Sequence, residues 1–256
     1  MAVEYSGKGD PARSLALLWR TSERTSRKGK PGLSVARIVR AAIEVADAEG
    51  LQTLSMRRVA ERLGVGTMSL YTYVPGKPEL FDVMLDQVYG ETARPEHVPG
   101  GWRGRLEQIA RENWALYLRH PWLLQVAASR PVLGPNFTAK YDYELRAVDG
   151  IGLSDLEMDS VITLVTGFVH GAARGAVEAA QVESLTGLSD EQWWAAHAPF
   201  LNRIADSDRY PVASRVGQAA GEALNAAYSP EHAFEFGLQR VLDGIAALIG
   251  QRDPAA

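Results

Sequence analysis

A chain of 256 residues, 46% of them hydrophobic, can bury one or two ordinary cores, and none of its apolar stretches approaches the roughly 18 uncharged residues of a membrane span. Zero cysteines exclude a disulfide framework and thiolate chemistry, and the charged N-terminal residues lack the apolar core of a secretory signal, so a cytoplasmic location is expected. The net charge of −4 hides an asymmetry: Arg13 to Lys77 carries 12 Lys/Arg against 5 Asp/Glu, or +7, which leaves −4 − 7 = −11 for the rest. A basic head on an acidic body suits an anionic partner at one end only.

Residues 1–32 read as a basic extension. A short helix is predicted from Arg13 to about Arg24, with Leu15, Leu18 and Trp19 on one side. Beyond it Arg24, Arg27, Lys28 and Lys30, interleaved with Ser, Gly and Pro, read either as a solubilising tail or as an arm lying along phosphates or in a minor groove. Their position beside the next motif favours the arm. Ser34 is an N-cap for a scaffold helix whose Val35, Ile38, Val39, Ala42, Ile43 and Val45 recur at helical spacing before Glu49-Gly50 ends it.

Ser55 is a second N-cap, with Met56, Val59, Ala60 and Leu63 on one face as far as Leu63. Gly64 tolerates the left-handed conformation of a sharp turn, and Val65 plugs that turn into the core. A second helix from about Gly66 would face inward with Leu70 and Val74, leaving Thr67, Met68, Ser69, Tyr71, Thr72 and Tyr73 outward. Such a hydroxyl-rich, aromatic face suits base edges and phosphates in a major groove. Lys77 to Gly90 is a fourth helix linking this head to the body, and the Pro/Gly-rich stretch Arg94 to Gly101 marks the boundary.

Residues 33–88 closely resemble the DNA-binding domain of the tetracycline repressor (TetR) family. The resemblance rests on A-x-x-x-A-D-A-E-G-L at Ala42 to Leu51, S-M-R-R-V-A at Ser55 to Ala60, L-G-V at Leu63 to Val65, and L-Y-x-Y-V-x-x-K-x-E-L at Leu70 to Leu80. It implies an all-α protein with a three-helix helix-turn-helix head over 33–91 and a larger ligand-binding and dimerisation body over 101–250. It places Thr67, Met68, Ser69, Tyr71, Thr72 and Tyr73 in the major groove, and Ser55, Arg57 and Lys77 on phosphates. The chain departs from the common pattern at Gly66, where many members have a capping Ser or Thr, and at Thr72, where a larger side chain is frequent.

From Trp102 onward the pattern stays helical: Trp102 to His120, a turn opening on Pro121, Asn136 to Val148, and a long helix opened by the capping box Ser154 to Glu157 and running to about Gln181. Ser189 to Gln192 repeats the device, a loose segment holds Tyr210-Pro211, and a last helix begins at Ser229-Pro230 and runs to Ile249. Gly167, Gly171 and Gly175 recur every fourth residue although glycine costs about 1 kcal/mol against alanine in a helix. A packed second helix or a ligand would explain the stripe. The resemblance implies a homodimer through a four-helix bundle built from helices near 157–181 and 231–249.

The body is dense in aromatics. Trp114, Tyr117, Phe137, Tyr141, Phe168 and Trp194 are candidates to line a pocket for an apolar or aromatic small molecule, though each is also ordinary core. His170 and Arg174 are either the polar anchors of such a ligand or partners of Glu178 and nearby carbonyls. The five histidines form no H-x-x-x-H pair, and no G-x-S-x-G, G-x-G-x-x-G or P-loop is present, so no catalytic residue, metal or cofactor is expected. The expected function is a DNA-binding transcriptional regulator, a repressor released from a pseudo-palindromic operator by a small molecule. A ligand-independent DNA-binding protein and an activator of the same fold are the alternatives.

Overall fold

The computed structural model describes residues 5–20, 32–127, 130–204, 208–226 and 228–251, and among them it has eleven α-helices, two short 3-10 turns and no strand. The expected basic arm around Arg27 and Lys28 lies outside the described residues.

The head forms where the local signals place it. Helix α2 (Val35–Glu49) opens on Ser34, whose Oγ accepts the Arg37 amide at 3.3 Å. Helix α3 (Met56–Leu63) opens on Ser55 in the same way, from Arg58 at 3.1 Å. It closes on Gly64, at φ +67°, where the Val65 amide reaches back to Ala60 O at 3.0 Å and the Gly64 amide to Glu61 O at 3.1 Å. That pair of bonds is a Schellman stop, with Val65 packed on the core behind it. Helix α4 (Thr67–Tyr71) is only five residues long, and the chain turns through Thr72 and Tyr73 before α5 (Lys77–Tyr89).

The head is not sealed at its C-terminal edge. Its core continues through Phe81 and Leu85 of α5 into Trp122 and Leu123, on the 3-10 turn Pro121–Gln125, and Leu116 at the end of α6 (Gly101–Arg119). Polar bonds span the same junction. Trp122 Nε1 donates to Asp47 Oδ1 at 2.7 Å, and the buried His120 ring bridges Asp47 (2.7 Å) and Glu91 (3.0 Å).

The N-terminal helix differs from expectation. It spans Pro11–Leu18 as α1 and buries Ser14 and Leu18, while Leu15 and Trp19 stay exposed. The reason lies in α5, where Glu79 and Asp82 are buried acids that need donors. Asp82 accepts the Gly7 amide at 3.0 Å and the Ser14 hydroxyl at 2.9 Å, and Glu79 accepts the Asp10 amide at 3.3 Å. Trp19 Nε1 reaches Leu133 O at 2.9 Å, so the extension is docked on α5 and on the approach to α7 (Pro135–Arg146).

The body core joins α6, α8 (Asp155–Thr186) and α11 (Pro230–Gly250) through Leu106, Ile109, Val165, Val169, Leu238 and Leu242. The capping box opens α8, with the Ser154 amide on Glu157 Oε2 at 2.9 Å, and Ser189 and Gln192 exchange bonds at the start of α9 (Asp190–Ile204). Residues 211–224, expected as loose chain, form α10 (Pro211–Leu224). Pro211 opens it at its first turn, and Val212, Val216, Ala220 and Leu224 recur every fourth residue, a helical pattern that the loose-segment expectation missed.

Candidate nucleic-acid interface and ligand site

The geometry of the head separates scaffold from display. Leu70 and Val74 are fully buried, and on the opposite side of α4 Met68 is 78% exposed beside exposed Ser69, Tyr71, Thr72 and Tyr73 and half-exposed Thr67. These six side chains make one outward face, with Arg57 at its flank on α3 and Lys77 opening α5. Arg57 is 84% exposed and swings to Glu61 at 2.9 Å, a surface pair that a phosphate can displace.

The neighbouring cations are committed elsewhere. Arg58 Nε donates to Glu49 at 2.9 Å, holding that carboxyl below its ordinary value, and Arg62 pairs with Glu44 at 2.9 Å. They lock α3 onto α2 and leave Arg57 pointing away from the scaffold. The Ser55 hydroxyl is spent on its cap as an acceptor, and its proton stays free to donate.

The eight sequence candidates for a ligand site are carried by α6, α7, α8 and α9. Trp114, Tyr117, Phe168 and His170 meet where α6, α8 and α11 converge, with Arg174 one turn further along α8. Trp114 stacks on Phe234 at 4.3 Å, Phe168 lies 6.1 Å from the same ring, and Tyr117 presents its edge to His170 at 5.4 Å. Burial raises the Tyr117 hydroxyl, so it is a neutral donor. Burial, and then the Arg174 cation, lower the His170 imidazole below its ordinary value, so it is neutral at pH 7. Among the described residues His170 Nε2 is buried with no partner, and so is Oε1 of Gln125 on the 3-10 turn that packs against α8. Arg174 makes only long contacts among the described residues, to Leu124 O at 3.4 Å and Glu178 at 3.9 Å.

Phe137 and Tyr141 stack on each other along α7, 6.3 Å apart, with Tyr89 edge-on to Phe137 and the Tyr141 hydroxyl on Asp159 at 2.6 Å. Trp194 stands apart on α9, pressed against Gly221 of α10 where any side chain would collide with its indole. Sequence reasoning passed over Gln125 because a polar residue in a short turn gives no signal of being buried. It also passed over the buried triad of Lys140, Glu144 and Asn113, in which Asn113 Nδ2 donates to Glu144 at 2.9 Å and Lys140 pairs with the same oxygen.

Two family models match the chain. Residues 38–84 match the family model for bacterial regulatory proteins of the tetR family, and residues 94–249 match that for the tetracyclin repressor-like C-terminal domain. The chain is 48% identical over 253 residues to the HTH-type transcriptional repressor DrrR1 of Streptomyces coeruleorubidus, covering 98% of this chain and 91% of that one. Apo ActR from Streptomyces coelicolor superposes with a TM-score of 0.69 at 29% identity, covering 87% of this chain and 99% of that one. ActR in complex with actinorhodin gives 0.66 at 27% identity, with 89% and 100% covered.

Proposed function

Because this chain belongs to the TetR family of bacterial regulatory proteins, we propose that it is a homodimeric cytoplasmic repressor whose hold on a pseudo-palindromic operator is released by a small aromatic molecule. The observation that carries this is the pairing of an outward, hydroxyl- and aromatic-rich α4 with an aromatic cluster that holds His170, whose buried Nε2 has no partner among the described residues. A ligand that offers a hydrogen-bonding group on a flat apolar frame satisfies that atom. The actinorhodin complex of ActR supports a small-molecule effector. Helix α5 packs on α2, α1 and α7, so a shift in the body moves the head with it.

Two reading heads must sit about 34–36 Å apart to enter successive major grooves on one duplex face, so a splay of a few ångströms breaks simultaneous engagement. Effector and operator are then antagonists by a common factor, since coupling between two sites is reciprocal. Compounds that raise the melting temperature are to be titrated calorimetrically with and without saturating operator. The expected result is that operator weakens effector binding by the same factor that effector weakens operator binding, about 5- to 150-fold. Equal effector affinity in both titrations would leave a constitutive DNA binder.

The surface of α8 supports the dimer. Contrary to the expectation that no stretch approaches a membrane span, α8 holds a window long and apolar enough to cross a bilayer by length and composition, and only 28% of it is buried within the protomer. Gly167 and Gly171 have open space where a Cβ would stand, beside exposed Leu164, while Phe236 is exposed on α11. An apolar face of this length is stabilised by a second copy packed backbone to backbone. Gly171→Leu should cost about 1–3 kcal/mol of overpacking at that contact. Light scattering should show monomer or aggregate at concentrations where the parent is a dimer, and an unchanged dimer would remove the stripe from the interface.

A further inference from the structure

We propose that the cavity beneath the linker between α5 and α6 is a second ligand site, built for a small organic acid. It encloses about 410 Å³ and lies outside the aromatic cluster, since none of Trp114, Tyr117, Phe168 and His170 lines it. Three arginines from three elements converge on it: Arg94 from the linker, Arg105 from α6 and Arg146 from α7. In a chain of net charge −4, the one acid among its lining residues is Glu96, whose carboxylate makes no ion pair with any of them among the described residues.

The arginines are incompletely satisfied. The Arg105 side chain has no hydrogen bond or ion pair among the described residues, and its Nε is buried. Arg94 donates from Nη2 to Tyr89 O at 2.9 Å while its own Nε is buried without a partner. Arg146 is held by Asp142 at 2.7 Å at the rim. A buried guanidinium N–H without an acceptor is costly, and a carboxylate has the two oxygens that match the planar fork.

The rest of the lining selects for a carbon skeleton. Ile109 and Ala147 are buried apolar floor, and Val98 and the Tyr143 ring add apolar wall. A volume in the range of ordinary small-molecule sites is too large for a bare inorganic anion to fill. The walls are fixed in advance: the Ala93 amide donates to Glu112 at 2.9 Å, Gln108 Nε2 to Ala93 O at 3.1 Å, and the Tyr143 hydroxyl to Pro95 O at 3.1 Å. Arg94 also ties the site to the head, because the carbonyl it holds belongs to the last residue of α5.

The test uses the full chain with 2-naphthoate as probe, 2-naphthamide as its neutral isostere and inorganic phosphate as the bare anion, each titrated calorimetrically. Naphthoate is expected to saturate one site per protomer, and Arg105→Gln to weaken it about tenfold or more, as the loss of a bidentate charge-assisted pair requires. Arg105→Lys should recover only part of that loss, since an ammonium is a point charge. The amide should bind far more weakly to the parent and be indifferent to Arg105→Gln, and the variant's thermal melt confirms that it is folded. Failure to saturate, naphthoate affinity unchanged in Arg105→Gln, or an amide or phosphate that binds as tightly as naphthoate would each overturn the assignment. The readout involves no operator, so it stands or falls apart from the repressor reading.

Discussion

Replacing Tyr71 and Tyr73 singly with alanine is expected to weaken operator binding by about 1–3 kcal/mol each while the melting temperature barely moves. Both rings are exposed, Tyr71 at the end of α4 and Tyr73 in the turn after it, and the buried residues that hold this segment in place are Leu70 and Val74, which the substitutions do not touch. The loss should concentrate on the cognate duplex, because a side chain that reads base edges has little to lose on a random one. Arg57→Ala and Lys77→Ala should behave differently, weakening every duplex alike and making the slope of log affinity against log salt shallower by about 1 for each phosphate contact removed. Anisotropy titrations at several salt concentrations, paired with thermal melts, separate the two patterns. Lower stability with unaltered DNA affinity would contradict the display role of the tyrosines.

Asp86→Ala is expected to cost about 2–4 kcal/mol of stability, because it removes a cap that one helix supplies to another. Helix α7 opens on Gly134, which offers no side chain of its own, and Asp86 of α5 fills the role. Its carboxylate accepts the Phe137 amide at 2.9 Å, the Asn136 amide at 3.3 Å and Asn136 Nδ2 at 3.0 Å. A Cβ at residue 134 would stand 2.2 Å from Asp86 Oδ1, so the glycine makes room for the acid. Without the carboxylate these partly buried donors lose their acceptor. For a chain of this size the cost corresponds to a fall in melting temperature of about 4–16 °C. A change of a degree or less would mean that solvent reaches the site and the cap is dispensable.

The two predictions mark what was legible in the sequence. The reading head was, because its signals are local: Ser55 starts α3, Gly64 stops it, and Leu70 and Val74 set which way α4 faces. The long helices α8 and α11 of the body were legible for the same reason, one opening on a capping box and the other on Ser229-Pro230. What depends on contacts across the fold was not. The buried face of α1 is chosen by Glu79 and Asp82, more than sixty residues away in sequence, so Ser14 turns inward where Leu15 and Trp19 were expected to. Aromatic spacing identified rings but not which helices meet, and Trp194 packs on Gly221 of α10 rather than on the rings around His170. Gln125 and Arg105 look like ordinary polar residues in sequence, and only their surroundings show atoms without partners.

The central claim is that two copies of α4 read an inverted repeat, and selection of bound duplexes from a random pool tests it most directly. The account predicts enrichment of two matched half-sites in inverted orientation, centred one helical turn, about 10–10.5 base pairs, or a multiple of it apart. It also predicts that the consensus is lost when Tyr71 and Tyr73 are replaced. Enrichment of a single unpaired half-site, or of no consensus at all, would contradict it.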